Sequence, residues 1–206
     1  PPPPPPPFQA EDGIRDESLR LVGSEMCIRD RSGIDILSVE DPSQVEEWKQ
    51  YRYDLITSIV SRLTERVHAS GKLITAAVFP GPNSVAKKIV RQEWDKWSLD
   101  AFYPMNYNDF YLEGTQWIGE VTREGVTALD HQKPLYSGLF ICPRPETKSQ
   151  QADPENHGLL PEELEDAIRE SMENGARGIC LFTPGRMTEA HWEVFETAIR
   201  KDFTLN

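Results

Sequence analysis

The chain has little cysteine: Cys27, Cys142 and Cys180 in 206 residues, none of them spaced as C-x-x-C. That excludes a cysteine-built zinc cluster and a disulfide framework. The four histidines, His68, His131, His157 and His191, share no spacing and form no H-x-x-x-H, so no metal site is expected. No run of about 18 apolar residues occurs, so no membrane-spanning helix is expected. No G-x-G-x-x-G or G-x-x-x-x-G-K-[ST] follows a strand-like run, which removes the nucleotide-binding sheets, and no cofactor is expected. Positive charge is also scarce. Lys and Arg number 22 against 34 acidic side chains, a net charge of -12 at pH 7. Such a surface repels phosphate backbones, so nucleic acid is not an expected partner.

What the chain has in excess, at its start, is proline. Seven prolines precede QAEDGIRD (residues 9–16), a run with no apolar period of 2 or 3.6. It has neither a secretory core nor an amphipathic transit pattern. Residues 9–16 can be written CAA GCA GAA GAC GGC ATA CGA GAT, in the manner of a sequencing adaptor read in frame. Residues 21–30, LVGSEMCIRD, can be written as the companion transposase-end primer. Residues 1–31 are therefore expected to be a non-native, adaptor-derived, disordered arm, with residues 32–206 as the biological domain. A proline-rich arm with a polar linker is the alternative. The arm holds six acidic and four basic residues, so a net -10 stays with residues 32–206, and Cys27 falls outside them.

From residue 32 onward helical and strand patterns alternate. Asp41 and Pro42 have the chemistry of a helix start. Leu55, Ile59, Leu63 and Val67 then recur every four residues as one apolar face. Short apolar runs at residues 72–80, 99–107, 134–143 and 178–185 read as buried strands. Helical spacing follows each of them. Strands apolar on both faces and alternating with helices mean a parallel sheet covered by helices. Two architectures fit, an open doubly wound sheet or part of a (β/α)8 barrel. With no nucleotide motif, and four strands where a barrel has eight, the expected fold is α/β: the C-terminal half of a (β/α)8 TIM barrel, four parallel strands alternating with helices.

In such a barrel ligands meet the C-terminal ends of the strands. Those ends read VFPG, PMNY, FICP and FTPG, rich in aromatics and amides and without histidine. Aromatic faces suit the C–H surfaces of sugars, while amides and phenols suit hydroxyls. Phe79, Tyr103, Met105, Asn106 and Tyr107 are the candidate substrate-binding residues. Alternation along the strand puts Tyr103, Met105 and Tyr107 on one face and Asn106 on the other. Ordinary core packing is the competing role for each.

The ordered stretches YRYD, GKLITAAVFP, LDAFYPMNYNDFY, PLYSGLF, PEELEDAIRESMENGARGICLF and MTEAHWE resemble the running pattern of glycosyl hydrolases of the "family 10 glycosylhydrolase" type. The likeness runs over residues 33–195. It implies a (β/α)8 barrel, a carbohydrate substrate and a parent that is exported or sits at the cell envelope. The chain lacks the family's D-x-x-R-Y-P segment, and its stretch over residues 144–160 is longer than usual.

Glycoside hydrolysis uses two carboxyl groups flanking the scissile bond. The candidates left in this chain are Asp109, just past the second strand run, and Asp54 and Glu47 on the first helix. Asp109 fits a turn or capping role as well, and Asp54 a solvated or Arg52-paired one. Asp100 falls at the opposite end of its strand and is expected to bind a neighbouring loop or helix. The functional expectation is a truncated glycoside hydrolase whose rim carboxylates lie largely elsewhere, the fragment itself being inactive. A non-catalytic carbohydrate-binding barrel is the alternative, and a lyase or aldolase barrel a further one. Self-association through exposed sheet edges is expected in either case.

Overall fold

The computed structural model describes residues 29, 33–143 and 157–202, with side chains to residue 200. The proposed adaptor arm (apart from residue 29) and most of the long stretch over 144–160 lie outside the described residues. The chain divides into two compact units, Pro1–Asp54 and Leu55–Asn206.

In the first unit, Asp35 and Asp41 each head a single 3-10 turn, Ile36–Ser38 and Pro42–Gln44. Asp41 Oδ1 accepts from the Ser43 backbone N–H at 3.0 Å and from the Ser43 hydroxyl at 2.6 Å. These bonds hold a local turn, and Val45 then takes an extended conformation. The long helix therefore begins at Glu46, four residues after the start that Asp41 and Pro42 suggested. This helix, α1 (Glu46–His68), passes from the first unit into the second.

The described residues of the second unit form four strands: β1 (Thr75–Val78), β2 (Ala101–Pro104), β3 (Tyr136–Phe140) and β4 (Gly178–Phe182). Each lies inside an apolar run that the sequence marked. β1 pairs with β2 and β3 with β4, both in parallel. Parallel bridges Phe102–Leu135 and Met105–Gly138 join the two pairs, so the spatial order is β1-β2-β3-β4. Parallel strands in sequential order, with helices in their connections, make this an α/β fold.

Among the described residues three further helices of more than one turn cover the strands: α3 (Thr115–Ala128), α4 (Pro161–Glu173) and α5 (Glu189–Asp202). The β1–β2 connection is different. The sequence suggested one helix there, but the chain makes a π turn over Pro82–Ala86 and a four-residue helix, α2 (Lys87–Val90). It breaks at Arg91, whose φ is +60°. The break lets the next residues bond the end of β1. Gln92 Oε1 accepts from the Phe79 N–H at 2.9 Å, and the Trp94 indole donates to the Phe79 carbonyl at 3.0 Å. Folding back to satisfy the end of β1 replaces two more turns of helix.

The core forms between strands and helices in two clusters. One joins Val78, Phe102 and Leu135 to Trp94, Trp97 and Val126. The other joins Leu139 and Ile141 to Ile118, Leu164, Ile168 and Ala198. The expected apolar face of α1 is turned outward: Leu55, Ile59 and Leu63 are 41–57% exposed. The neighbouring row, Ile56, Val60 and Thr64, packs inward instead. These rows lie about 100° apart on a helix. The Thr64 hydroxyl satisfies itself on the Val60 carbonyl at 2.9 Å, which lets a polar residue sit in the buried row. Asp100 does bind a neighbouring loop and helix: its Oδ2 accepts from the Ile74 N–H at 2.7 Å and meets His68 Nε2 at 2.9 Å.

Candidate functional site

The face of the strands opposite the helices is aromatic. Alternation along β2 buries Phe102, Pro104 and Asn106 toward the helices and leaves Tyr103, Met105 and Tyr107 half-buried on the other side. Tyr103 stacks on Tyr136 of β3, centroids 5.0 Å apart and planes 13° from parallel. One layer nearer the C-terminal ends, Tyr107 meets Phe140 at 5.2 Å and Phe182 at 6.0 Å. Phe140 and Phe182 stack in turn, at 5.9 Å. Phe110 closes edge-on against Phe140 at 5.2 Å, and the Arg186 guanidinium lies 4.6 Å from the centre of the Phe140 ring. Arg186 is held there by its Nε, which donates to the Ile141 carbonyl at 2.8 Å.

The electrostatics of this face are those of a partly dry surface without acid groups. No residue of β1–β4 carries a charge. Burial pushes the Tyr107 phenol up to about 12, and the nearby Cys180 thiol adds to the effect. The Tyr103 phenol is also raised, by burial first and then by Tyr136 and Cys180. Both phenols are therefore neutral hydrogen-bonding groups at physiological pH.

The other residues singled out in the sequence are placed as follows. Asn106 is fully buried on the helix side, its amide donating to Ser137 Oγ at 2.9 Å and Thr122 Oγ1 at 3.1 Å. It is part of the strand–helix seam and does not join the aromatic face. Phe79 is half-buried and packs against the core behind β1 and β2. Asp109 is 2% exposed and accepts from the Gly158 N–H at 2.9 Å, tying the turn after β2 to the segment after β3. Gly158 has φ +117°, and an added Cβ would lie 2.5 Å from the Ile141 carbonyl carbon, so this seam requires glycine. Asp54 is exposed on α1 and accepts from Gln50 Nε2 at 2.8 Å. Glu47 is exposed in the first turn of the same helix.

Three members of the aromatic face were missed as site residues: Tyr136, Phe140 and Phe182. Period-two alternation in YSGLF and GICLF carried the signal, since it places Tyr136 with Phe140 and Cys180 with Phe182. His191 is fully buried. Its Nε2 meets the Leu159 carbonyl at 3.0 Å and its Nδ1 meets Thr188 Oγ1 at 2.8 Å. That is a structural role, anchoring the start of α5. Among the described residues no group of three or more His, Cys, Asp or Glu could hold a metal ion. No described helix is long and apolar enough to cross a membrane.

No protein-family model matches the sequence, and no curated protein matches it. Among solved structures the chain is similar to bee venom hyaluronidase, at 14% identity and a TM-score of 0.49, covering 92% of this chain and 65% of that one. The complex of bee venom hyaluronidase with a hyaluronic acid tetramer gives 13% identity and a TM-score of 0.44, over 92% and 63% of the two chains. Dihydrodipicolinate synthase from Bacillus clausii gives 12% identity and a TM-score of 0.38, over 68% and 43%. The chain thus spans less than two thirds of the length of each of these proteins.

Proposed function

We propose that the strand face lined by Tyr103, Tyr107, Tyr136, Phe140 and Phe182 binds carbohydrate, as one half of the wall of a glycoside hydrolase barrel. The observation that supports this most is the layered aromatic surface itself, uncharged along all four strands. Ring faces accept the C–H side of a sugar, and the neutral Tyr103 and Tyr107 hydroxyls can donate and accept. The motif resemblance points the same way. Hydrolysis would need two carboxyl groups beside the bond. Asp109 is buried in a structural bond and Asp54 lies exposed on α1, so in this reading neither is one of a catalytic pair. The chain then binds sugar without cleaving it.

The test is titration of the full chain with neutral oligosaccharides, monitored by intrinsic fluorescence and calorimetry. Phe182→Ala removes a stacking ring worth about 0.5–1.5 kcal/mol beyond its area. It should weaken binding roughly 2- to 12-fold, and Tyr107→Phe should do the same by removing a hydroxyl bond of similar size. No measurable sugar binding, or variants that bind as the parent does, would remove this reading. Preference for phosphorylated sugars would favour the lyase or aldolase class instead.

A further inference from the structure

The edges of the strand wall present surfaces that complement each other. Among the described residues β1 pairs only with β2, and β4 only with β3. All four strands run in one direction in sequential order, so β4 of one molecule can add to β1 of another in the same parallel sense as the internal junctions. The helices beside these edges carry exposed apolar side chains: α1 exposes Leu55, Ile59 and Leu63, and α5 exposes Trp192, whereas α3 and α4 expose none and the short α2 only Ile89. The charges around those apolar groups are opposite in sign. Arg62 and Arg66 flank the α1 stripe, with Glu65 between them. Glu193 and Glu196 follow Trp192 along α5, and Arg200, one turn on, pairs with Glu196 at 3.6 Å, so the group keeps a net negative charge.

We propose that a second copy of this chain covers both edges, two four-stranded walls closing into one eight-stranded parallel ring around the aromatic face. A two-fold axis along the ring makes the β4–β1 junction twice and leaves no open edge. At each junction the acidic patch of α5 faces the basic patch of α1 from the other copy. The sugar-binding face is then enclosed by aromatic layers from both copies. A second copy is the occupant because polarity, strand number and both charged patches are all present in this one sequence. The inference stands without the carbohydrate reading, since its test measures mass and not sugar.

Sedimentation equilibrium of the full 206-residue chain should show a dimer that grows no further with concentration. Arg62→Glu with Arg66→Glu, and separately Glu193→Lys with Glu196→Lys, should each weaken dimerisation about tenfold or more with helical content unchanged. Mixing the two variants should restore dimers, because a junction of the mixed pair again joins opposite charges. That rescue cannot arise from misfolding. A monomer at every concentration, open-ended polymers, or a mixture no tighter than either variant alone would overturn the proposal.

Discussion

Asp109 illustrates how much a single carboxylate can mean in either of two roles. It is buried, and it holds the Gly158 N–H across the gap between two loops. Asp109→Asn keeps an oxygen for that bond, whereas Asp109→Ala leaves the buried N–H without it, at a cost of about 1–3 kcal/mol. The structural role therefore gives an Asn variant close to wild type in thermal stability and an Ala variant that melts several degrees lower, by calorimetry. An Asn variant that abolishes turnover in a protein that cleaves sugar, with stability intact, would make Asp109 catalytic. Tyr107 adds a pH dependence. Its folded value, about 12, lies above the ordinary phenol value of 10.0. The folded state thus holds its proton where the unfolded state loses it. This contribution to stability is complete below pH 10 and disappears as the pH rises toward 12. In Tyr107→Phe, denaturant midpoints should fall less between pH 10 and 12 than in the parent, and an equal fall in both would contradict the assignment.

Among the elements, the β2–β3 junction is tightly closed. Met105 bridges Gly138, and a Cβ on Gly138 would sit 2.7 Å from the Pro104 carbonyl oxygen. Backbone at that distance cannot move aside cheaply. Gly138→Ala should cost about 1–3 kcal/mol, as overpacking does, and should lower the urea midpoint; an unchanged midpoint would mean the strands part without penalty. The same junction shows why some elements were legible in sequence and others were not. β1–β4 were readable because each falls in a short, largely apolar run too brief for a helix. The face of α1 was not: two adjacent rows, Leu55-Ile59-Leu63 and Ile56-Val60-Thr64, are both spaced for a helix, and hydrophobicity favours the row that ends up exposed. The turn after Pro82 was misread because its helix is broken by side-chain bonds to Phe79 from Gln92 and Trp94, tertiary contacts that no local spacing records. The site divided in the same way. Alternation correctly separated Asn106 from Tyr103, Met105 and Tyr107, but the partners Tyr136 and Phe182 depend on strand register, which only pairing fixes.

For the molecule as a whole, strand order matters more than any one contact. In the second unit the middle strands are bonded on both sides, and Phe102, Leu135 and Leu139 lie at their centre with at most 1% exposure. The outer strands have a neighbour on one side only among the described residues. β1 begins after Leu73, which is 80% exposed, and β4 ends at Phe182, which is 51% exposed. Local opening draws on the least supported elements first, since few buried contacts hold their hydrogen bonds. Amide exchange measured at low protein concentration should therefore be slowest in β2 and β3, and about tenfold or more faster in β1 and β4. Raising the concentration should slow the outer strands selectively if another chain covers them, because edge amides are the groups a new strand would bond. The central strands, already paired, should change little. Uniform protection across all four strands at high dilution would mean that the edges are already covered within one chain, and the wall would then have to be redrawn as closed.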